Sequence, residues 1–419
     1  MILLITLVGM MIRLFWIKWT DTVPVSDSGW YYEKALRIAA GEGYVQDNTD
    51  FPLWDENPVV QPGPGIPTAF WPVGYPAFLG ALFFLFGRWA EPMQIAKMAD
   101  VLLSTGLLWL TFACSRRMFQ STRAALVGVA ILAFFPNIIA YTSLMTVEVF
   151  YLFLLMCGVW LLLRGVDEER HRWLVAAGTM FAAATLTKPQ TILMPLVLLA
   201  FFYRSRPRLL LETVALVYLT IVLLLTPWTV RNFRAFGHLI FISNNSGTNL
   251  WIGNNPQATG EYAFGQELFD PLLAIPDEYA RDQHARALAI DYVRTNPRGA
   301  LQLLPKKVLH LYLFDVDGFG WNQMASPRLP GSPVWLGLKI VAQLYYGLVL
   351  LLFVAALIWL PRANTRYFLL GPIVLGYFTL LYLPFFGGAR FHQPFIPWYA
   401  IYAGALITFG RSRWRSASA

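Results

Sequence analysis

The sequence predicts an all-α polytopic membrane protein with about ten transmembrane helices. Of its 419 residues, 57% are hydrophobic and only 13% are charged, whereas about a quarter are charged in soluble domains. Apolar runs of about 17–25 residues, the length that crosses a bilayer, recur along the chain. The net charge of +8 is then explained by loop Lys and Arg residues that fix orientation, so no nucleic-acid partner is expected.

The first apolar run is interpreted as a retained helix and not as a signal peptide. Met1–Trp16 lacks a basic start and a small-residue cleavage site. The run is short for a span, which leaves open a start codon upstream of Met1. Cys114 and Cys157 lie inside apolar runs, so no disulfide framework is implied. The ten predicted spans cover residues 1–19, 94–114, 124–141, 146–163, 173–187, 190–203, 209–226, 335–360, 367–384 and 393–410.

The stretch Gly74–Phe86, GYPAFLGALFFLF, is too short for an eleventh span and is predicted to be interfacial or re-entrant. If it does not span, the basic segments SRRMFQSTR, RGVDEERHR, RSRPR, PRANTR and RSRWR share one side of the membrane and hold 14 Lys and Arg residues. The short loops of the other side hold two, Lys188 and Arg390. The positive-inside rule then places both termini in the cytoplasm, and we expect an inner (plasma) membrane protein.

This topology divides the chain into three parts. Residues 1–226 form an N-terminal transmembrane module with a first outer loop (20–92), residues 227–334 form a second extracytoplasmic region, and residues 335–419 carry the last helices. The first loop contains the turn-rich NPVVQPGPGIPTAFWPVGYP, and the second opens with SNNSGTNLWIGNNPQATG, predicted to be loop. The following DEYARDQHARALAIDYV predicts an amphipathic helix on the membrane or against the bundle, with an apolar face of Ala285, Leu288, Ala289, Tyr292 and Val293.

Ionisable residues gather at the predicted outer ends of the helices. Because such groups are costly near a bilayer, they are candidates for a functional site. A transporter would instead place them near the midplane, often on broken helices. The pattern therefore favours a catalytic cleft at the boundary of water and lipid, and its residues are Asp27, Lys97, Asp100, Glu148, Lys188, Arg231, Arg390 and His392.

The stretch SDSGWYYEKALRIAAGEGY, which follows the first helix, predicts a short helix lying in the headgroup layer. Ser26 or Asp27 would be its N-cap, and Gly41 and Gly43 would end it. Asp27 would thus be held at the membrane surface, where a hydroxyl acceptor can meet a lipid-borne donor. A purely capping role for Asp27 is the competing interpretation.

Several short motifs follow one another along the chain: Asp27 followed by YYEKALRIAAGEGY, then WPVGYPAFLGALFFLFG, TSLMTVEVFYL, LTKPQ, PWTVRNFRAFG and RFHQPFIPWYA. In these motifs the chain resembles the GT-C glycosyltransferases, in particular protein O-mannosyltransferases and lipid A aminoarabinose transferases. The resemblance implies a helical membrane bundle with juxtamembrane helices in its first outer loop. It also implies an enzyme that transfers a sugar from a polyprenyl-phosphate carrier to a hydroxyl of a glycan, lipid or protein on the extracytoplasmic face.

The resemblance also implies roles for individual residues. Asp27 would be the general base of an inverting displacement. Lys188, with Arg231 and Arg390 as weaker choices, would bind the donor phosphate, unless the arginines pair with lipid headgroups. The supporting residues would be Glu148, Lys97, Asp100, Tyr31 and His392. Glu148 is equally well interpreted as a partner of Lys97 or as a helix N-terminal charge.

Two features depart from the relatives and leave the acceptor open. Asp27 is followed by Ser28, where eukaryotic protein mannosyltransferases have paired acidic residues, and no substantial C-terminal soluble domain follows the helices. No cofactor is expected. The motif DVD, Asp315–Asp317, is compatible with a divalent metal, but a turn or cap is favoured. Asn249, Trp251 and Asn254 are candidates for binding sugar or acceptor, although a Gly- and Asn-rich segment more often forms turns.

Two other functions stay open at this stage. A transporter or flippase of a polyprenyl-linked lipid would share the membrane-facing cations, but it would show midplane polar residues and inverted repeats, which this sequence lacks. A non-catalytic subunit of a glycan-assembly system would not need Asp27.

Overall fold

The computed structural model of the chain describes residues 1–46, 65–262, 266–329, 331–360 and 365–417. The predicted turn-rich residues 57–64 and basic residues 361–364 lie outside the described residues. The all-α fold is confirmed, with one antiparallel pair of two-residue strands, β1 (Val45–Gln46) and β2 (Ile66–Pro67), in the described part. The helices are α1 (Ile2–Thr20), α2 (Asp27–Ala39), α3 (Gly74–Phe86), α4 (Pro92–Phe119), α5 (Thr122–Ala133), α6 (Pro136–Tyr141), α7 (Val147–Glu168), α8 (His171–Thr187), α9 (Met194–Tyr203), α10 (Pro207–Phe236), α11 (Ser246–Gly253), α12 (Gln266–Leu273), α13 (Glu278–Thr295), α14 (Pro297–Tyr312), α15 (Asp317–Ala325), α16 (Val334–Trp359), α17 (Thr365–Phe368), α18 (Leu370–Tyr382) and α19 (Ile396–Ala417).

Within the described residues, five helices are long and apolar enough to cross a membrane by themselves: α1, α4, α7, α10 and α16. Their polar residues are few, and most of α1, α10 and α16 faces outward, as expected of helices that contact lipid. The chain is an integral membrane protein. The predicted number of ten spans is not reached by this criterion, because several of the remaining apolar helices are shorter or interrupted.

Several helix boundaries differ from the predicted spans, and two of the differences change how the chain is divided into helices. The predicted span 124–141 is not one helix: α5 ends at Ala133 and α6 begins at Pro136. Proline has no backbone N–H and clashes with the preceding turn, so it starts a helix more readily than it continues one. The predicted end of the seventh span at residue 226 is also wrong, because α10 continues through Pro227 to Phe236.

Helix α2 is not the surface helix that was predicted, because none of its residues is exposed; its position in the headgroup layer stays a prediction. The aromatic side chains that suggested a surface helix pack inward instead. Trp30 and Tyr31 contact Trp71 with ring centroids 5.2 and 5.5 Å apart, and Tyr31 meets Tyr75 edge-on at 5.4 Å. The chain following α2 therefore folds back over it. The helix does end where Gly41 and Gly43 adopt positive φ, as predicted.

The 13-residue α3 is about 20 Å long at 1.5 Å per residue, too short for a hydrocarbon core of about 30 Å. Its second half exposes Phe84, Leu85 and Phe86, while Tyr75 and Leu79 are fully buried. This arrangement agrees with the predicted interfacial segment.

The segment SNNSGTNLWIGNN was predicted to be loop, and this is wrong for residues 246–253, which form α11. The Asp282 carboxylate of α13 accepts hydrogen bonds from the backbone N–H groups of Gly247 and Thr248, at 2.7 and 3.0 Å. These are N–H groups that a helix start leaves unpaired, so a distant side chain stabilises α11. The predicted amphipathic helix is α13. Ala285 and Ala289 are buried and Leu288 partly so, but Val293 is exposed.

Helices α5 and α19 cross in direct backbone contact. A Cβ atom built on Gly404 would lie 2.6 Å from the carbonyl oxygen of Ala124, and one on Gly128 would lie 3.0 Å from that of Ala400. Small residues at such a crossing let two helices approach closely without a hydrophobic driving force from lipid.

Arg13 connects three helices inside the membrane region. It is fully buried, and its guanidinium donates to Ser104 Oγ at 2.7 Å and to the carbonyl oxygens of Gly9 and Ala133, both at 2.9 Å. The sequence analysis did not single out this residue. Its partners belong to α1 and α4 and to the end of α5, so it fixes α1 against the bundle.

We predict that Arg13→Met destabilises the fold by about 2 kcal/mol, since three hydrogen bonds within a membrane contribute roughly 0.6 kcal/mol each. The measurement is the free energy of unfolding in mixed detergent micelles. Lys18→Met on the same helix is the matched control, because Lys18 is exposed. Equal stability of the Arg13 and Lys18 variants would contradict the structural role of Arg13.

Candidate active site

Four of the predicted site residues form one ion cluster: Asp27, Glu148, Lys188 and Arg390. The Arg390 guanidinium donates from Nη1 to Asp27 Oδ2 at 2.7 Å and from Nε to Glu148 Oε1 at 3.1 Å. Lys188 Nζ lies 3.4 Å from the same Glu148 oxygen. The Glu148 side chain is 2% exposed, whereas Asp27 and Arg390 are 18% and 25% exposed. In the ion cluster, Glu148 is therefore the buried residue, and Asp27 and Arg390 form the side that is accessible.

A tight turn aims Asp27 at this cluster. Ser26, the residue before it, has φ 50°, a conformation that non-glycine residues rarely adopt. The turn is closed by Ser28, whose hydroxyl accepts from the backbone N–H of Val25 at 2.7 Å, and by the Ser28 N–H, which donates to the Val25 carbonyl at 3.0 Å. Asp27 occupies the first turn of α2, where the helix dipole favours a carboxylate. Ser26 is the N-cap position of α2, and no side chain forms a capping hydrogen bond there. The observed side-chain partner of Asp27 is Arg390.

The cations of the ion cluster respond differently to burial. Burial by itself lowers the pKa of the Arg390 guanidinium, but the Glu148 and Asp27 carboxylates outweigh it and hold that pKa well above its usual range. Burial lowers the pKa of the Lys188 ammonium, and Glu148 only partly offsets this effect. Arg390 therefore stays charged, and Lys188 is the cation that gains most from an additional negative charge nearby.

The backbone around Arg390 is fixed by a second polar group, which contains His392. Arg390 N–H donates to Asp317 Oδ2 at 3.0 Å. His392 is fully buried, with Nδ1 2.6 Å from the Leu311 carbonyl and Nε2 3.1 Å from Asp315 Oδ1, and its ring stacks on Tyr346 at 5.0 Å. His392 therefore holds the turn that presents Arg390.

Asp315 and Asp317, the acidic residues of the DVD motif, have separate surroundings. Asp315 is fully buried and accepts hydrogen bonds from Asn137 and Gln393 as well as contacting His392. Burial and the neighbouring Asp315 raise the pKa of Asp317 to about 6. The described residues contain no group of three or more His, Cys, Asp and Glu side chains arranged to hold a metal ion.

Three of the predicted supporting residues, Tyr31, Lys97 and Asp100, do not join the ion cluster. Tyr31 is buried, and burial together with Asp27 raises the pKa of its hydroxyl well above its usual value, so it stays neutral. Lys97 donates to the Thr22 carbonyl at 2.8 Å and thus does not pair with Glu148. Asp100 is 1% exposed, and neither of its oxygens has a hydrogen-bond partner within the described residues.

Arg231 is engaged elsewhere. It lies on α10, not in a loop, and donates to the Thr68 and Tyr44 carbonyls at 2.8 and 2.5 Å. Glu278 of α13 completes this contact by accepting from Thr68 Oγ1 and Ala69 N–H at 2.7 and 2.9 Å. These bonds fasten the chain after α2 to the second large connecting region.

The candidate sugar-binding residues of α11 are used in packing. Trp251 Nε1 donates to the Leu268 carbonyl at 2.8 Å. Asn254 donates to the Leu250 and Pro384 carbonyls and accepts from Lys307 Nζ at 3.0 Å. The Asn249 side chain is half-buried and enters none of the hydrogen bonds described here. The structure does not bring these three residues to the ion cluster.

Sequence reasoning missed Asn137, which helps to hold the site in place, and it did not connect Asp317 of the DVD motif with Arg390. Asn137 follows Pro136 in a run that looks uniformly apolar, and its Oδ1 accepts the Gly318 N–H at 2.8 Å. A lone polar residue inside an apolar run was the available signal, since such groups are expensive in a membrane and need partners.

Comparison with known proteins finds a family match over part of the chain and a similar fold. Residues 71–230 match the model of the family described as dolichyl-phosphate-mannose-protein mannosyltransferase. Among curated proteins, none has a sequence that matches this chain.

The fold is similar to that of the oligosaccharyltransferase of Archaeoglobus fulgidus in its apo form, with a TM-score of 0.58 and 13% identity. The match covers 100% of this chain and 51% of the archaeal one, so the chain spans about half the length of that enzyme. The same enzyme, AglB, in complex with an inhibitory peptide and a dolichol-phosphate, gives a TM-score of 0.55 at 12% identity, covering 99% of this chain and 51% of AglB.

ArnT from Cupriavidus metallidurans bound to undecaprenyl phosphate is also similar, with a TM-score of 0.46, 16% identity, and coverage of 98% of this chain and 77% of ArnT. The predicted enzyme class, a glycosyltransferase, agrees with the family whose model residues 71–230 match. In sequence and in fold, the chain resembles the GT-C glycosyltransferases, as its sequence predicted.

Proposed function

We propose that the protein transfers a sugar from a polyprenyl-phosphate donor to a hydroxyl acceptor on the extracytoplasmic face of the inner membrane, with both termini in the cytoplasm. The observation that carries this proposal is the ion cluster itself. Asp27 and Arg390, 363 positions apart, meet at 2.7 Å with Glu148 and Lys188 beside them. A carboxylate next to fixed cations is what such a transfer needs.

In the proposed reaction, Asp27 takes the proton of the acceptor hydroxyl while that oxygen attacks the anomeric carbon of the donor. The bond between this carbon and the phosphate oxygen breaks, and configuration at the carbon is inverted. Within the described residues, only Oδ2 of Asp27 has a protein partner. Oδ1 is therefore available to the acceptor.

The leaving phosphate gains negative charge as the bond breaks, and we propose that Lys188 and Arg390 stabilise that charge. Both cations contact a single oxygen of Glu148. This carboxylate holds them together before the donor arrives, and it limits the energetic cost of burying them. Fixed cations in a water-poor site need little reorganisation as charge develops.

We predict that Asp27→Asn lowers the transfer rate by about 10²–10⁴-fold, the typical contribution of a general base, while donor binding is kept. The assay follows labelled mannose from polyprenyl phosphate-mannose into envelope extract, with purified protein in nanodiscs. Asp21→Asn is the matched control, since Asp21 is exposed and pairs with Arg328. Wild-type rates in the Asp27 variant would refute its role as base.

We predict that Lys188→Gln lowers kcat/KM for the donor by about 10²-fold, the effect of removing one group that stabilises developing charge. Arg390→Lys keeps the charge but cannot reach Asp27 and Glu148 together, so its kcat is expected to fall. Arg206→Gln, at an exposed pair, is the control. If these variants transfer normally, the phosphate site lies elsewhere.

Translocation of a labelled lipid by wild-type protein without sugar transfer would favour the flippase function.

We also propose that the protein's own cations, and not a divalent metal, neutralise the leaving phosphate. The expected result is that EDTA leaves the transfer rate within about twofold of its value with magnesium or manganese added. Loss of transfer in EDTA and its recovery with one cation would overturn this part of the proposal, and it would redirect attention to Asp315 and Asp317.

A further inference from the structure

A cavity of about 580 Å³ lies beside the ion cluster, between α15 and the start of α16. This volume falls in the range of roughly 300–1,000 Å³ that is usual for ligand pockets. The cavity is lined by Asp317, Gly320, Trp321, Gln323, Met324 and Lys339.

The lining combines groups of three chemical kinds. Trp321 supplies a half-buried aromatic ring, which can pack against the C–H face of a sugar. Asp317 offers a carboxylate that accepts hydrogen bonds. Lys339 and Gln323 are joined by a hydrogen bond, in which Lys339 Nζ donates to Gln323 Oε1 at 2.7 Å. An ammonium has three donors, so Lys339 keeps hydrogen bonds to offer to hydroxyl groups.

Two independent contacts tie this cavity to the ion cluster. Asp317 Oδ2 accepts from the Arg390 backbone N–H at 3.0 Å, and the side chain of Arg390 binds Asp27. On the other side, Trp321 packs in a small cluster that includes Val25, two residues before Asp27. The cavity therefore adjoins the backbone of Arg390 and the segment that leads into Asp27.

The chemistry of the lining distinguishes among glycan, lipid and protein acceptors. Trp321, Met324 and the glycines make much of the lining apolar, but an acyl chain could not pair with the Asp317 carboxylate or the Lys339 ammonium, which also line the cavity. An extended peptide is usually held by backbone pairing along a strand edge, and the described lining residues lie in helices α15 and α16 and in the turn between them. One aromatic surface with several hydrogen-bonding groups around it suits a sugar ring.

We propose that this cavity is the acceptor subsite and that it binds a sugar ring of a glycan, stacked on Trp321 with its hydroxyls bonded to Asp317 and Lys339. This inference rests on the proposed function, and it narrows the acceptor from any hydroxyl compound to a carbohydrate. Trp321 and Lys339 bind the acceptor in this arrangement, while Asp317 also keeps Arg390 in place.

The experiment uses the full chain in nanodiscs and the methyl glycosides of mannose, galactose and N-acetylglucosamine as probes. Saturation-transfer NMR is expected to show binding of at least one glycoside by the wild type. Trp321→Leu should weaken that binding at least tenfold and Lys339→Gln at least threefold. The controls Trp89→Leu and Lys18→Gln, at exposed positions, should bind as the wild type does. Melting temperatures establish that each variant is folded. If Trp321→Leu does not fold, the glycoside binding of Lys339→Gln tests the inference.

Binding of labelled undecaprenyl phosphate is measured on the same samples and should be unchanged in the Trp321 and Lys339 variants. The inference is overturned if the wild type binds none of the glycosides, if both variants bind them normally, or if a serine-containing peptide displaces them. Glycoside binding that depends on Trp321, in a protein that transfers no sugar, would count against the proposed function alone. Sugar transfer without glycoside binding would count against this subsite alone.

Discussion

The site depends on one buried carboxylate. Glu148 lies in the first turn of α7, almost without exposure, and a single oxygen of it contacts both Arg390 and Lys188. Two cations placed this close repel each other, and each loses hydration when buried, so neither position is stable without the acid between them. Asp27 then pairs with Arg390, whose orientation Glu148 has already fixed. In this sense Glu148 organises the reacting groups without having to touch a substrate.

The connecting regions act as a frame around this centre. Glu278 and Arg231 hold the chain that follows α2, and Asp282 supplies the missing partners at the start of α11. These are side-chain bonds to backbone groups, which fix the path of a loop more firmly than apolar packing alone. Asn254, which looks like a binding group in the sequence, is used in the same way, since it donates to the Pro384 carbonyl.

The sequence predicted the membrane class, most helix positions and the members of the ion cluster, because each of these leaves a local signal. Apolar length predicts spans, and a charge such as Lys188 in an apolar setting stands out. It could not predict that Arg231 would bind loop carbonyls while Arg390 binds Asp27, since both follow an apolar run in similar motifs. Partner choice is decided by contacts across hundreds of positions, and Arg13 and Asn137 show the same limit. Ser246–Gly253 was missed because its N-terminal support comes from another helix.

The pairing of Asp27 with Arg390 joins the two ends of the chain. During synthesis the first of these residues enters the membrane long before the second, so the pair can form only after the last helices have been inserted. A partly made chain would hold Asp27 without its arginine. The segment 71–230, which matches the family model, contains neither residue. Fragments built around that segment would thus retain the recognisable part of the molecule but lack both members of the pair.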